Sequence, residues 1–286
     1  MFLLGLLVLS LSSSSSGRNK PAIFDGTTWY ELLATDPSSS SSRSSAEKPL
    51  PPISESWKDP NVEIYVSIVS FRDSERCAIT LKDLFAKARY PDRVRVGLVQ
   101  QTAQDEKDCM ELFCGSKAWQ STSSCTRSKQ VSNILMAKFE SKGPSFARYL
   151  NQEGMGTAEY CMQTDSHVKF ASEWDVLALE TWAAAKNEYA VLSTSLLDSM
   201  KTPSETISSS QVVPHLCSLS WTERGLVRND KAKAAANLQE PILSNTWSAG
   251  FSFSKCHAER KVPPDPHLHQ CWDGEEFAKY ARYACM

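Results

Sequence analysis

Residues 62–101 carry three patterns in close succession: an apolar strand, an amphipathic helix and a second apolar strand. The apolar residues of 62–71 alternate with residues that are also largely apolar, which is typical of a strand covered on both faces. Apolar residues at steps of three and four predict a helix from Ser74 to Lys87, and Arg93 to Gln101 predicts a further strand. This order predicts a right-handed βαβ unit and therefore an α/β fold with a parallel sheet.

The patterns downstream continue this alternation of helices and strands. Helices are predicted from Pro144 to about Gly154, from Trp174 to Ala185 and from Glu275 to Met286, and strands at Tyr160 to Thr164, Tyr189 to Thr194 and Trp247 to Ser254. Residues 102–129 are polar and contain cysteines, so we interpret them as an insertion with at most one short helix. Residues 197–243 give no assignable pattern.

The amino-terminal part of the chain differs in composition from the rest. The apolar run at residues 1–11 has the length of a signal-peptide core and is shorter than the roughly 20 residues that span a bilayer. We interpret residues 1–17 as a signal peptide or an artefactual leader, 18–61 as a Ser/Pro-rich disordered stem and 62–286 as the folded domain. No other stretch predicts a transmembrane helix of full length.

Charge and cysteine content limit the classes of partner. The 31 basic and 33 acidic residues are spread along the chain without a basic block, which argues against nucleic acid as a partner. The nine cysteines have neither Cys-x-x-Cys nor zinc-finger spacing. A local bridge among Cys109, Cys114 and Cys125 is conceivable from their spacing, but we do not favour it, and cysteine usage leaves the compartment open. The apolar leader slightly favours the secretory pathway, with the cytoplasm as the alternative.

Asp165 and His167 follow the predicted strand at Tyr160 to Thr164. Ligands of open parallel sheets bind outside the carboxyl ends of the strands. Residues two apart at the end of an extended strand point to one side, so a carboxylate and an imidazole there are able to share a cation. Oxygen and nitrogen ligands suit Mn²⁺, or Mg²⁺ less well. The alternative, weighed evenly for the motif alone, is a polar turn in which Asp165 caps the next helix.

Two further helix starts carry charged residues. Lys142 and Arg148 flank the start of the helix predicted from Pro144, where cations and backbone N–H groups favour an anionic diphosphate. A surface basic pair is the alternative, and it is favoured when these residues are taken alone. Glu275 and Glu276 follow Gly274 at the start of the last helix, where acidic capping is the alternative to a role in catalysis.

Six segments in this order resemble a known family. They are residues 62–101, Lys142-Gly143-Pro144 with Ala147-Arg148, Gln163 to His167, Trp247 to Phe253, Pro264 to His267 and Gly274-Glu275-Glu276. Together they resemble the GlcNAc-transferase family typified by the cytoplasmic enzyme that glycosylates hydroxyproline on a ubiquitin-ligase adaptor. The layout is more distantly similar to that of the polypeptide GalNAc-transferases. The resemblance covers most of residues 62–286.

The resemblance implies a GT-A-type nucleotide-diphospho-sugar transferase fold with a Rossmann-like, mostly parallel central sheet that is incomplete at the C-terminus. It implies a UDP-sugar donor, first of all UDP-GlcNAc, a protein or glycan acceptor hydroxyl, and retention of the anomeric configuration. It further implies Mn²⁺ (or Mg²⁺) held by Asp165 and His167, with another ligand expected beyond Met286. A catalytically inactive nucleotide-sugar-binding protein is the main alternative, and a metal-dependent hydrolase is a third.

The resemblance also assigns residue roles by position. Arg72 and Asp73 are expected at the uridine end of the donor, and Lys142 and Arg148 near the diphosphate. Ala249 and Gly250 are expected under the sugar. Glu275 and Glu276 are expected to be the catalytic carboxylates, near the donor sugar and the acceptor.

Overall fold

The computed structural model describes residues 52–115, 124–196, 218–230 and 240–284, with short stretches at 7–9, 22–24, 29–31, 120–121, 212–216 and 233–236. Contacts separate residues 12–51 from the rest of the chain as a unit of their own. Most of the leader predicted at residues 1–17 and most of the stem predicted at 18–61 lie outside the described residues. The described part of the leader, Leu7–Leu9, forms a strand of the central sheet. Within the described residues, no helix combines the length and the apolarity that crossing a bilayer requires.

The elements alternate along the chain as the sequence patterns predict. The strands are β1 (Leu7–Leu9), β2 (Ala22–Phe24), β3 (Trp29–Glu31), β4 (Ile64–Phe71), β5 (Val94–Thr102), β6 (Gln120–Ser121), β7 (Ser124–Cys125), β8 (Val131–Ala137), β9 (Tyr160–Asp165), β10 (Val191–Ser193), β11 (Val212–His215), β12 (Leu219–Trp221), β13 (Val227–Asn229), β14 (Lys233–Ala236), β15 (Ile242–Leu243) and β16 (Phe251–Lys255). The helices are α1 (Ser74–Lys87), α2 (Cys109–Cys114), α3 (Pro144–Asn151), α4 (Trp174–Ala184), α5 (Cys256–Lys261) and α6 (Glu275–Ala284).

One sheet with the order β15-β1-β10-β16-β9-β4-β5-β8 forms the centre of the larger unit. Strands β8, β5, β4 and β9 are parallel to one another, whereas β16 lies antiparallel between β9 and β10. The predicted βαβ unit of β4, α1 and β5 is confirmed, and its helix has the predicted bounds. The carboxyl ends of β4, β5 and β9 therefore lie at one edge of the sheet, where ligands of such folds bind.

Apolar side chains cover both faces of the sheet, as the pattern in β4 predicts. Ile64, on one face, belongs to the main core cluster together with Leu81 of α1 and Trp182 of α4. Tyr65, on the other face, belongs to a separate cluster with Met155, which follows α3. Because successive side chains of a strand point to opposite faces, burial on both sides gives β4 its nearly continuous apolar sequence.

Three details differ from the sequence-based expectations. The strand predicted from Trp247 begins only at Phe251, because residues 249–250 form a turn and the Ala249 N–H donates to a side-chain carboxylate. Strand β8 was not predicted, since it lies at the edge of the sheet and much of it is exposed. The short helix α5 was also not predicted. The insertion at residues 102–129 has the one short helix expected of it, α2, within its described part.

Within the described residues, three disulfides link six of the cysteines. Cys114 is bonded to Cys125, so the expectation against a local bridge in the insertion is wrong. Cys77 of α1 is bonded to Cys109 of α2, and Cys161 of β9 to Cys256 at the start of α5. Sequence spacing does not reveal these pairs, because two of them join residues that only the tertiary fold brings together.

Candidate functional site

Asp165 is the last residue of β9 and lies at the carboxyl edge of the sheet. Its backbone N–H donates to the Gly250 carbonyl, which places its side chain beside the turn that precedes β16. The Asp165 side chain is 37% exposed, and that of His167 is 48% exposed. Helix α4 begins at Trp174 with Glu173 at its N-cap, so the alternative in which Asp165 caps this helix is wrong.

His167 has a defined orientation because its ring contacts Asp73, the N-cap residue of α1. His167 Nδ1 lies 3.1 Å from Asp73 Oδ2, which also accepts a hydrogen bond from Ser166 Oγ at 3.1 Å. A carboxylate accepts, so in this contact Nδ1 carries the proton and Nε2 is the nitrogen able to bind a metal. A carboxylate that orients the ring in this way is the usual outer partner of a metal-binding histidine.

The backbone of the same turn is fixed by a second residue of α1. Thr80 Oγ1 donates to the Ser166 carbonyl at 2.9 Å and accepts from the Val168 N–H at 3.1 Å. Thr80 is buried. The βαβ unit therefore positions the Asp165-Ser166-His167 turn through side chains on two turns of one helix.

Arg148 of α3 connects Asp165 with α6. Its guanidinium forms an ion pair with Glu275 through Nη1, and its Nη2 lies 3.8 Å from Asp165 Oδ1. The Arg148 side chain is only 8% exposed, so the alternative of a surface basic pair is wrong for this residue. Buried charges require such partners, because an unpaired charge in the protein interior is strongly unfavourable.

The two adjacent acidic residues of α6 have different environments. Glu275 is buried, and besides its ion pair with Arg148 it accepts a hydrogen bond from Ser145 Oγ at 2.7 Å. Glu276 accepts from the Ala249 N–H at 2.8 Å and from Asn229 Nδ2 at 2.7 Å. Burial raises the pKa of Glu276 above its ordinary value. Glu275 therefore connects α6 to α3, and Glu276 connects it to the turn before β16.

Gly250 lies against the Asp165 carboxylate. A Cβ atom at Gly250 would come within 3.1 Å of Asp165 Oδ2, so a larger residue would displace the carboxylate. The Ala249 carbonyl accepts a hydrogen bond from Gln163 Nε2 at 2.8 Å, which holds this turn against β9. The structure thus brings together six of the predicted site residues: Arg148, Asp165, Ala249, Gly250, Glu275 and Glu276.

Lys142 and Arg72 make their contacts elsewhere. Lys142 Nζ lies 4.7 Å from the centre of the Phe146 ring, and Arg72 Nε forms an ion pair with Glu106 at 3.1 Å. Arg72 lies at the carboxyl end of β4, and Lys142 lies just before α3. Both therefore stay candidates for contacts with a nucleotide-sugar donor at the edge of the candidate site. The uridine contact predicted for Asp73 also stays a prediction, since its contacts here are with the His167 turn and Arg76.

Three residues of the site were not found by sequence reasoning. Ser145 precedes Arg148 by three positions, so helical spacing alone predicts that the two share a face of α3. Asn229 and Thr80 gave no comparable signal, because they belong to a hairpin and a helix that reach the site only in the folded chain.

The site contains ligand atoms for a cation as well as a positive charge. Asp165 and His167 offer an oxygen and a nitrogen ligand, while Arg148 provides a buried positive charge beside Asp165. In the part of the chain that the structure describes, no group of three or more His, Cys, Asp or Glu side chains is placed to hold one metal ion. The arrangement fits a cation that takes its remaining ligands from water and a bound anion.

A family model described as Glycosyltransferase (GlcNAc) matches residues 63–123 and 113–283, which together are most of the chain. The chain belongs to this glycosyltransferase family. The matched residues include the Asp165 turn, Arg148, Gly250 and the start of α6, so the family covers the whole candidate site. No match was found among curated proteins.

The comparison with solved structures found two similar glycosyltransferases, of which GalNAc-T7 supports a shared fold. GalNAc-T7 with UDP, GalNAc and Mn²⁺ has a TM-score of 0.51 and 15% identity, over 81% of this chain and 42% of that chain. The mannosyltransferase PcManGT from Pyrobaculum calidifontis, in complex with GDP-Man and Mn²⁺, has a TM-score of 0.38 and 13% identity, over 77% of this chain and 51% of that chain. The chain spans about half the length of these structures. The predicted GT-A fold, with its mostly parallel central sheet, is confirmed.

Proposed function

We propose that this protein transfers a sugar, first of all GlcNAc, from a UDP-sugar to a hydroxyl group of a protein or glycan acceptor, with retention at the anomeric carbon. The observation that carries the proposal is the Asp165-Ser166-His167 turn at the carboxyl end of β9, in which Asp73 orients the imidazole. Family membership and the GalNAc-T7 fold, whose structure holds UDP and Mn²⁺, support it.

Asp165 and His167 are the residues that would hold Mn²⁺, or Mg²⁺, in this proposal. Their exposed carboxylate and free ring nitrogen fit the oxygen and nitrogen ligands of such an ion. When bound, the ion would neutralise the charge that develops on the leaving diphosphate. The protein's own part is to keep the two ligands fixed, through Arg148 for Asp165 and through Asp73 for His167.

The remaining predicted residues take the following roles in the proposal. The Ala249-Gly250 turn lies under the sugar, where the missing side chain of Gly250 leaves room next to Asp165. Glu276 borders that turn, and its raised pKa suits a carboxyl group that exchanges a proton near the acceptor hydroxyl. Glu275 also stays a candidate catalytic carboxylate, although its present contacts are with Arg148 and Ser145. Arg72, Asp73 and Lys142 are candidates for the nucleotide end.

The test is Asp165→Asn in the full chain, assayed for release of UDP from UDP-GlcNAc with Mn²⁺. The carboxylate is partly exposed, so folding should be retained. We expect turnover to fall by about a hundredfold or more, because a metal contributes several kcal/mol to stabilising developing charge. Asp265→Asn is the matched control. Asp265 also precedes a histidine, His267, by two positions, and its Oδ1 lies 3.1 Å from His267 Nδ1. Equal activity of wild type and Asp165→Asn would refute the metal assignment.

A nucleotide-sugar-binding protein without turnover is the second candidate. The observation that favours it is the two-ligand set, since the described residues provide no third His, Cys, Asp or Glu for the same ion. Calorimetry separates the two proposals. Binding of UDP with Mn²⁺ but no UDP release from UDP-GlcNAc, even with acceptor glycans and peptides present, would support the binding protein over the enzyme.

We also propose that the protein folds in the secretory pathway. Three disulfides within the described residues support this placement, because such bonds form and persist in oxidising compartments. Peptide mapping of the protein from its native cells under non-reducing conditions tests it. Recovery of Cys161 and Cys256 as free thiols would favour the cytoplasm.

A further inference from the structure

A buried ionic cluster outside the candidate site joins α6 to α5. Glu259 of α5 accepts a hydrogen bond from Lys279 Nζ at 2.5 Å and another from Tyr283 Oη at 2.6 Å. All three side chains are buried. The Lys279 ammonium also lies 5.2 Å from the centre of the Trp247 ring, which precedes the Ala249-Gly250 turn. This cluster therefore connects the second half of α6 to the same turn that its first residues contact.

The cluster and the candidate site share one face of α6. Glu275, Lys279 and Tyr283 are spaced four residues apart, which places their side chains above one another on the helix. Burial lowers the pKa of Lys279, and the positive charge of Arg148 contributes to the shift. Ion pairs join this face of α6 to α5 through Lys279 and Glu259, and to α3 through Glu275 and Arg148.

We propose that Glu259 is a positioning residue for the donor site: it fixes α6 through Lys279 and Tyr283, and α6 fixes Asp165 through Glu275 and Arg148. The inference rests on the proposed function, because the position of Asp165 matters only if Asp165 holds the metal and the donor. Glu259 itself does not contact Asp165; its effect is carried by the helix.

The physical reason is the cost of an unpaired buried charge. Without the Glu259 carboxylate, the Lys279 ammonium has no anionic partner in its buried position, which is strongly unfavourable. The helix relieves this cost by moving, and Glu275 and Glu276 move with it because they belong to its first turn. Displacements of about 1 Å at a site are enough to weaken positioning substantially.

The test measures Mn²⁺-dependent UDP binding by calorimetry, with full-length protein, at a temperature where every variant is folded. Loss of a direct outer partner of a metal ligand typically weakens metal affinity by about 10- to 100-fold. Because Glu259 acts through the helix, we expect Glu259→Gln to weaken Mn²⁺ affinity by no more than about tenfold. Tyr283→Phe should weaken it by a smaller factor, since Lys279 keeps its counter-charge. Glu159→Gln is the matched control, because Glu159 is the partner of another buried lysine, Lys255, at the opposite end of β9.

The outcomes separate this inference from the proposed function. If the wild-type protein shows no Mn²⁺-dependent UDP binding, the proposed function fails and the inference fails with it. If the wild type binds but Glu259→Gln and Tyr283→Phe bind equally well, the inference alone is overturned. If Glu259→Gln does not fold, Tyr283→Phe decides: weakened affinity relative to Glu159→Gln supports the positioning role, and unchanged affinity overturns it.

Discussion

The two ends of β9 both carry buried ion pairs, but they differ in how completely the charges are satisfied. At the amino end, Lys255 Nζ pairs with Glu159 and with Glu188, and donates hydrogen bonds to Ser54 Oγ and Ser56 Oγ. At the carboxyl end, Arg148 pairs closely with Glu275, while its distance to Asp165 is 3.8 Å and the Asp165 carboxylate stays partly exposed.

The two ends are therefore suited to different roles. At the lysine end the buried cation is fully partnered: two carboxylates and two hydroxyls surround Lys255, which stabilises the segment preceding β4. The Asp165 end is open, because the acidic and imidazole groups of the turn keep ligand atoms at the surface. Satisfied buried networks contribute to a rigid structure, whereas partly satisfied charged groups in a cleft indicate a ligand.

The largest expected effect comes from removing the cation at each end. Arg148→Met leaves Glu275 buried without a counter-charge, so we expect a loss of about 3–5 kcal/mol in the free energy of unfolding. Lys255→Met should cost less, about 1–2 kcal/mol, because Glu159 is 40% exposed and is hydrated when its partner is lost. Urea denaturation of both variants tests this order. An equal loss at the two ends would remove the distinction between them.

An intermediate effect is expected at Gly250, and it concerns activity more than stability. Gly250→Ala places a methyl group 3.1 Å from Asp165 Oδ2, so the carboxylate must move slightly away from its present position. We therefore expect UDP release to fall about tenfold, which corresponds to about 1.4 kcal/mol. The double variant with Asp165→Asn should be no slower than Asp165→Asn alone. A further loss in the double variant would show that Gly250 acts independently of Asp165.

The smallest effect is the pH dependence of stability, which has opposite signs at the two ends. Burial raises the pKa of Glu276, so the stability it provides is complete below its ordinary pKa of 4.5 and is lost as pH rises through the raised value. The hydrogen bond from Lys255 lowers the pKa of Glu159, so its stability is present above 4.5 and is lost as pH falls through the lowered value.

Thermal unfolding across the acid range checks these signs. Glu276→Gln should remove a decline in stability above pH 4.5, and Glu159→Gln should remove a decline below it. If both substitutions change thermal stability on the same side of pH 4.5, the two ends of β9 do not have opposite pH dependences.

The sequence alone predicted much of the site's backbone. The alternation of apolar residues in β4 and the helical spacing of α1 follow from local periodicity, and both elements appear nearly as predicted. Asp165 and His167 were identified because a strand end is where a parallel sheet binds ligands. The contact between Asp73 and His167 was not foreseen, since Asp73 is 94 positions away from His167 and only the βαβ geometry brings them together.

The order of strands and helices, and therefore the residues at strand and helix ends, follows from local sequence patterns, because periodicity and capping are local. The pairing of charges depends on the folded chain: Arg148 pairs with Glu275, Lys279 with Glu259 and Lys255 with Glu159. Those pairs join residues from different elements, and the free energy that selects them is the desolvation of buried charge, which exists only once the chain has closed around them.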